Sequence, residues 1–147
     1  MKTVSSTVEI NASPERVWGV LTDLPGHASW DPFITSISGA LVPGQKLNVR
    51  IEPPGSRPTS FKPTVTSVVE NRELAWLGRL VMPGLFDGAH RFTLEPTQTG
   101  TNVLASESFS GLLVSLSPGL LHHTQQGFEE LNAALKRRTE EGPATGH

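Results

Sequence analysis

The chain of 147 residues is long enough for one domain around one hydrophobic core, and its charged fraction of 18% is ordinary for a globular protein. A net charge of −2 gives no electrostatic basis for binding nucleic acid, and the absence of cysteine excludes disulfides and thiolate sites. Since no apolar run approaches ~20 residues and residues 1–6 lack a signal-peptide core, we expect a cytoplasmic protein without stable membrane insertion.

The N-terminal part of the chain predicts a strand followed by short helices. Apolar and polar side chains alternate over residues 3–10, which is the period of a strand. Ser13 is positioned to cap a helix that has Pro14 in its first turn, and apolar residues recur at helical spacing as far as residue 24. The aromatic segment 30–33 then predicts a loop or half-turn.

The middle of the chain predicts a run of strands. Turn signals rich in glycine and proline, or the tight Asn71-Arg72 turn, separate these strand-like segments. The predicted strands are residues 34–38, 46–52, 61–69, 73–80, 86–95 and 102–109.

The C-terminal part predicts one long amphipathic helix. After Ser117-Pro118, apolar residues recur at intervals of three and four for about twenty residues. A strand, short helices, a run of strands and a long helix indicate an α+β fold, in which a curved antiparallel sheet of about six to seven strands wraps on the last helix. We expect one domain over residues 1–141 and a disordered tail over residues 142–147.

The loop of the last hairpin predicts the register of its two strands. If residues 97–100 form this loop, His90 faces Glu107, and both side chains share a face with apolar residues. Their Cβ atoms would then lie ~5 Å apart in the interior. Such a pair suits general acid–base catalysis, the anchoring of a polar ligand group, or a structural ion pair at the rim of the sheet, and all three interpretations remain open.

Aromatic and apolar side chains on the inward faces are candidate ligand contacts. Trp76 lies beside Gly78, which leaves room above the sheet, although an indole there also suits simple core packing. Trp30 and Phe33 are candidates for the mouth of a cavity, or alternatively cap the early helices. The further candidate contacts are Leu80, Phe92, Phe109, Phe128 and Leu131.

Two other segments bear on partners and cofactors. Residues 80–86 are unusually apolar for a turn, which favours an entrance lid or a contact in a homodimer, with a membrane-touching tip as the alternative. His122 and His123 are adjacent on the predicted helix, so their side chains point about 100° apart and do not converge on one ion. We therefore expect no metal and no cofactor.

Several segments resemble the SRPBCC superfamily, the START-like and birch-pollen-allergen group, and in particular its polyketide cyclase/dehydratase-like branch. These segments are residues 8–18, 30–33, 72–76, 90–92, 107–111 and 127–132. The resemblance implies a helix-grip fold with a cavity between the long helix and the sheet. It also implies ligands such as lipids, sterols, polyketides or quinones, and in a minority of members catalysis of cyclisation or dehydration.

The residues and the resemblance together favour a protein that binds or carries a small apolar ligand of lipid, polyketide or aromatic type. The alternative is a cyclase or dehydratase without a metal, in which His90 acts as acid or base and Glu107 orients it. A second alternative, from other members of the superfamily, is a protein-interaction module such as a chaperone cofactor, with residues 80–86 as its contact.

Overall fold

The structure is a computed structural model that describes residues 2–79, 87–112, 114 and 118–141. These residues form eight strands and three helices, which confirms the predicted α+β class. In chain order the elements are β1 (Lys2–Ile10), α1 (Pro14–Thr22), α2 (His27–Trp30), β2 (Ile34–Ser38), β3 (Asn48–Ile51), β4 (Thr59–Phe61), β5 (Thr64–Val69), β6 (Glu73–Arg79), β7 (Asp87–Pro96), β8 (Thr101–Ser110) and α3 (Pro118–Glu141). The expected tail, residues 142–147, lies outside the described residues.

The strands form two antiparallel sheets instead of the one sheet expected. The larger sheet has the order β1-β8-β7-β6-β5, and the smaller has the order β2-β3-β4. Backbone hydrogen bonds join them, since the N–H of Gly44 donates to the carbonyl of Val65 (2.8 Å) and the N–H of Leu47 donates to that of Pro63 (2.9 Å). The smaller sheet therefore continues the curvature of the larger one and closes over its inward face.

The strand expected over residues 61–69 is divided in two, and this corrects the sequence prediction. β4 ends at Phe61 and β5 begins at Thr64. Pro63 lies between them and has no N–H to donate to a ladder, so the chain leaves one sheet and enters the other at this point. The physical cause was visible in the sequence as a proline inside an apolar run.

The register of the last hairpin is the one predicted. His90 pairs with Glu107 and Leu94 with Val103, while the N–H of Thr97 donates to the carbonyl of Gly100 at 2.8 Å to close the loop. Because side chains alternate along a strand, His90 and Glu107 lie on the same face. That face is the inward one, since Leu94 and Val103 beside them are fully buried.

The long helix α3 packs its apolar stripe into the core shared by both sheets. Phe128, Leu131 and Leu135 are fully buried in one cluster with inward side chains of the strands. Side chains of α3 also cover the free edge of β1, where Gln125 Nε2 donates to the carbonyl of Ser5 at 2.6 Å. Within the described residues, no helix is long and apolar enough to cross a bilayer.

A buried imidazole–carboxylate pair fixes the turn from α2 into β2. His27 Nδ1 lies 2.8 Å from Asp31 Oδ2, and His27 Nε2–H donates to the carbonyl of Leu21 at 2.7 Å. The other oxygen of Asp31 accepts the backbone N–H groups of Phe33 and Ile34, each at 2.9 Å. This network directs Phe33 into the interior, where it is 3% exposed. The expectation of an exposed aromatic loop at a cavity mouth is therefore wrong for Phe33.

Candidate functional site

A cavity lies between the inward faces of the two sheets and the N-terminal half of α3. Its walls are mainly aliphatic and aromatic, and they come from elements distant in the chain. The side chains that form most of the wall are Phe33, Ile34, Val49, Ile51, Phe61, Trp76, His90, Glu107, Phe109, Leu120 and Thr124. Two glycines, Gly78 and Gly88, leave space on the surface of the larger sheet.

The space inside these walls is small. Its volume is about 70 Å³, whereas an apolar cavity of about 150 Å³ holds benzene. Ile51 and Phe61 in the smaller sheet are only half-buried. A ligand with one ring therefore requires a modest outward shift of such side chains, and a ligand with several fused rings requires a much larger one.

His90 is held in an aromatic enclosure. Its ring stacks on Trp76, with centroids 4.6 Å apart and planes 19° apart. The rings of Phe92 and Phe128 meet it edge-on, with centroids at 4.4 and 5.2 Å. The imidazole is only 3% exposed, and its buried Nε2 makes no hydrogen bond with the described residues. A buried polar atom without a partner is uncommon in folded proteins and is often found at functional sites.

Glu107 reaches the imidazole from the neighbouring strand. Its Oε1 lies 3.5 Å from His90 Nδ1, and its side chain is 19% exposed. This separation exceeds the 2.7–2.9 Å of a charge-assisted hydrogen bond, so the carboxylate retains capacity to accept from another donor. A β-carbon at position 88 would collide with Glu107 Oε2, which means that the carboxylate uses the space left by Gly88.

The cavity brings together five of the predicted site residues. These are Phe33, Trp76, His90, Glu107 and Phe109. Their roles in binding or catalysis stay predictions.

The other predicted site residues do not line the cavity. Phe92, Phe128 and Leu131 are buried in the core, and the first two support the His90 ring from its edges. Trp30 is half-buried against His27, with ring centroids 4.8 Å apart, and borders a separate groove beside α1. Leu80, together with the apolar segment 80–86, lies outside the described residues.

Several wall residues were missed by the reasoning from sequence. Val49, Ile51 and Phe61 come from the smaller sheet, and their only signal was alternation within short strands. Thr124 was a polar position within the apolar stripe of the helix, and it is 4% exposed beside the cavity. A hydroxyl at such a position is the signal that could have identified it.

His122 and His123 take no part in the cavity wall. His122 is exposed, and the His123 ring packs on Gly55 of the β3–β4 loop. Among the described residues, no cluster of three or more histidine and carboxylate side chains is arranged to hold a metal ion.

Solved structures with a similar fold cover almost the whole chain. A START superfamily protein from Mycobacterium smegmatis has a TM-score of 0.73 at 23% identity, over 95% of this chain and 97% of that one. Protein MLL2253 from Mesorhizobium loti has a TM-score of 0.67 at 25% identity, over 92% and 98% of the two chains.

A third similar structure is DynU16, described as a putative protein in the dynemicin biosynthetic locus. It has a TM-score of 0.73 at 18% identity, and the match covers all of this chain and 50% of DynU16. At these identities the likeness concerns the fold.

A comparison with curated proteins finds no match. The family model for polyketide cyclase/dehydrase and lipid transport matches residues 1–140, which is nearly the entire chain. This agrees with the resemblance of its segments and with the helix-grip architecture. The protein therefore belongs to the polyketide cyclase/dehydrase and lipid transport family.

Proposed function

We propose that this protein binds a small apolar ligand in the cavity between the two sheets and α3. The observation that carries the proposal is the composition of the wall, in which aliphatic and aromatic side chains surround a single pair of titratable groups, His90 and Glu107. Small-molecule sites are typically concave and apolar, with a few polar groups that orient the ligand. The family description, which includes lipid transport, supports the same conclusion.

Apolar burial supplies the main free energy of binding in such a site. Removal of apolar surface from water contributes about 25 cal/mol per Å², so one buried ring adds a few kcal/mol. The limited volume favours ligands of one ring or a short chain over large fused systems.

Nuclear magnetic resonance with toluene as the probe tests this proposal. The chain has three tryptophans, Trp18, Trp30 and Trp76, and of these Trp76 lines the cavity. We expect toluene to shift the indole N–H signal of Trp76 and to leave the other two indole signals in place. Absence of any shift at Trp76, or equal shifts at all three indoles, would contradict binding in the cavity.

A matched pair of variants locates the binding. Ile51→Phe adds a ring to the cavity wall, whereas Val69→Phe adds one at a position that is 50% exposed at the end of β5. The first is expected to weaken toluene binding at least about tenfold by filling the space, and the second to leave it unchanged. Native mass spectra of the purified protein would, in addition, reveal the mass of any ligand that it retains.

An acid–base enzyme of the cyclase or dehydratase type is the second candidate. The observation that favours it is the contact of His90 Nδ1 with Glu107, combined with the unpartnered Nε2 on the other side of the ring. In this hypothesis Nε2 removes a proton from a carbon beside a carbonyl, and Glu107 orients the imidazole. His90→Ala and Glu107→Gln would both abolish turnover of a poly-β-ketone substrate, and unchanged turnover in both variants would exclude the hypothesis.

A further inference from the structure

We propose that Glu107 makes the cavity selective for ligands that carry an uncharged hydroxyl donor on a small ring, as in a phenol, and against ligands that end in a carboxylate. This inference rests on the proposed function and assigns a ligand class to the same cavity. It separates the neutral hydroxylated ligands from the fatty-acid type of apolar ligand, because the two differ in the charge that they bring to Glu107.

The charge balance of the wall is the first step. Among the described residues that line the cavity there is no lysine and no arginine. Residues 80–86, 113 and 115–117 contain no charged residue either. His90 is therefore the sole titratable partner of Glu107 in this wall, and a bound carboxylate would meet another carboxylate without a lysine or arginine to compensate.

The hydrogen-bonding capacity of Glu107 is the second step. An ionised carboxylate accepts at two oxygens and has about four lone-pair positions. His90 Nδ1 lies 3.5 Å from one of these oxygens, which leaves the group able to accept a shorter bond. A hydroxyl that donates to a carboxylate forms one of the stronger hydrogen bonds in proteins, about 2.5–2.7 Å long, and apolar surroundings strengthen it further.

The position of the carboxylate is the third step. Glu107 Oε2 occupies the space above Gly88, on the floor of the cavity. Phe61, Trp76 and Phe109 line the same space and provide apolar and aromatic surface for a ring. A ligand that packs its ring against these side chains and directs its hydroxyl to Glu107 satisfies both parts of the wall.

Isothermal titration calorimetry with p-cresol and p-toluate tests the inference. The two probes share a methylphenyl ring, and at about pH 7 p-toluate is ionised whereas p-cresol is not. We expect p-cresol to bind at least about tenfold more tightly than p-toluate, because one hydrogen bond to a charged group accounts for such a factor. Equal affinities, or tighter binding of p-toluate, would overturn the inference.

Three variants assign the selectivity to Glu107. Glu107→Gln keeps the shape of the side chain and removes its charge, so the preference for p-cresol should fall at least about fivefold. Gly88→Ala keeps the charge but forces the carboxylate to move, and p-cresol should bind more weakly. Glu73→Gln removes a negative charge from the adjacent strand β6, outside the cavity wall, and should leave the preference unchanged. An unaltered preference in Glu107→Gln would overturn the inference.

Toluene and p-methylbenzylammonium separate the remaining outcomes. If toluene binds but p-cresol has no advantage over p-toluate, the hydroxyl selectivity fails while the apolar cavity of the proposed function stands. If neither toluene nor p-cresol binds, the proposed function itself fails. If p-methylbenzylammonium binds more tightly than p-cresol, Glu107 recognises cations and the inference is overturned. The indole signal of Trp76 in each variant reports whether the cavity has kept its structure.

Discussion

The ring of Phe33 occupies the position at which a β-carbon on Gly127 would lie. Phe33 also meets the ring of Phe128 edge-on, with centroids 5.4 Å apart. These contacts join the segment that leads into β2 to the middle of α3. Because Phe33 also lines the cavity, the close approach to Gly127 sets how far the smaller sheet stands from the helix.

We expect Gly127→Ala to lower the free energy of unfolding by about 1–3 kcal/mol, because the added methyl group overpacks the contact with Phe33. This loss exceeds the gain of up to about 1 kcal/mol from the higher helix propensity of alanine. Urea denaturation measures the difference. Gly19→Ala is the matched control, since Gly19 is exposed in α1 and a β-carbon there meets no atom within 4 Å. That variant should be more stable than the wild type, and equal behaviour of the two variants would contradict the role of Phe33.

The His27–Asp31 pair yields a second prediction about stability. Asp31→Ala would leave the buried His27 ring and the backbone N–H groups of Phe33 and Ile34 without their acceptor. Removal of one partner of a buried charged pair costs about 3–5 kcal/mol. We expect thermal and urea denaturation to show a loss of this size. Glu95→Ala, at an exposed position near the end of β7, should change stability by no more than about 0.5 kcal/mol.

Glu140 yields a prediction about pH. Hydrogen bonds from Lys136 and from the backbone N–H of Asn11 hold the pKa of the Glu140 carboxyl below its usual value. A pKa that is lower in the folded state contributes stability above the unfolded-state pKa, and this contribution is lost as the pH falls through the folded-state pKa. Glu140→Gln should therefore melt below the wild type at neutral pH, and this difference should shrink in acid.

Melting temperatures measured from about pH 7 down to about pH 3 test this expectation. Glu141→Gln is the control, since it removes the same charge from the exposed residue that follows in α3. A pH-independent difference between Glu140→Gln and the wild type would show that the carboxylate does not link α3 to the end of β1.

Local patterns predicted the elements whose physics is local. The alternation in β1, the Ser13 cap of α1 and the apolar stripe of α3 all appear in the structure as expected. The register of β7 and β8 was also accessible, because a short hairpin loop determines which residues face each other. His90 and Glu107 could therefore be paired before the fold was known.

The smaller sheet and the closure of the cavity were not accessible in the same way. Ile51 and Phe61 meet Trp76 and Glu107 around one space, although they lie far apart in the chain. The burial of His27 depends likewise on the packing of α1, α2 and β2 around it. No short-range periodicity encodes such contacts, since they arise only when distant elements pack together.

The amino-acid sequence by itself thus determined the order of the elements, the inward face of each long strand and the opposition of His90 and Glu107. These features follow from backbone geometry, which has a fixed period within a strand or helix. The tertiary structure alone decided which aromatic rings enclose His90, how Gly88 accommodates the Glu107 carboxylate and how little space remains between the sheets. Those features depend on the volumes of side chains brought together from the whole chain, because a protein interior is close-packed and each contact is set by all of its neighbours.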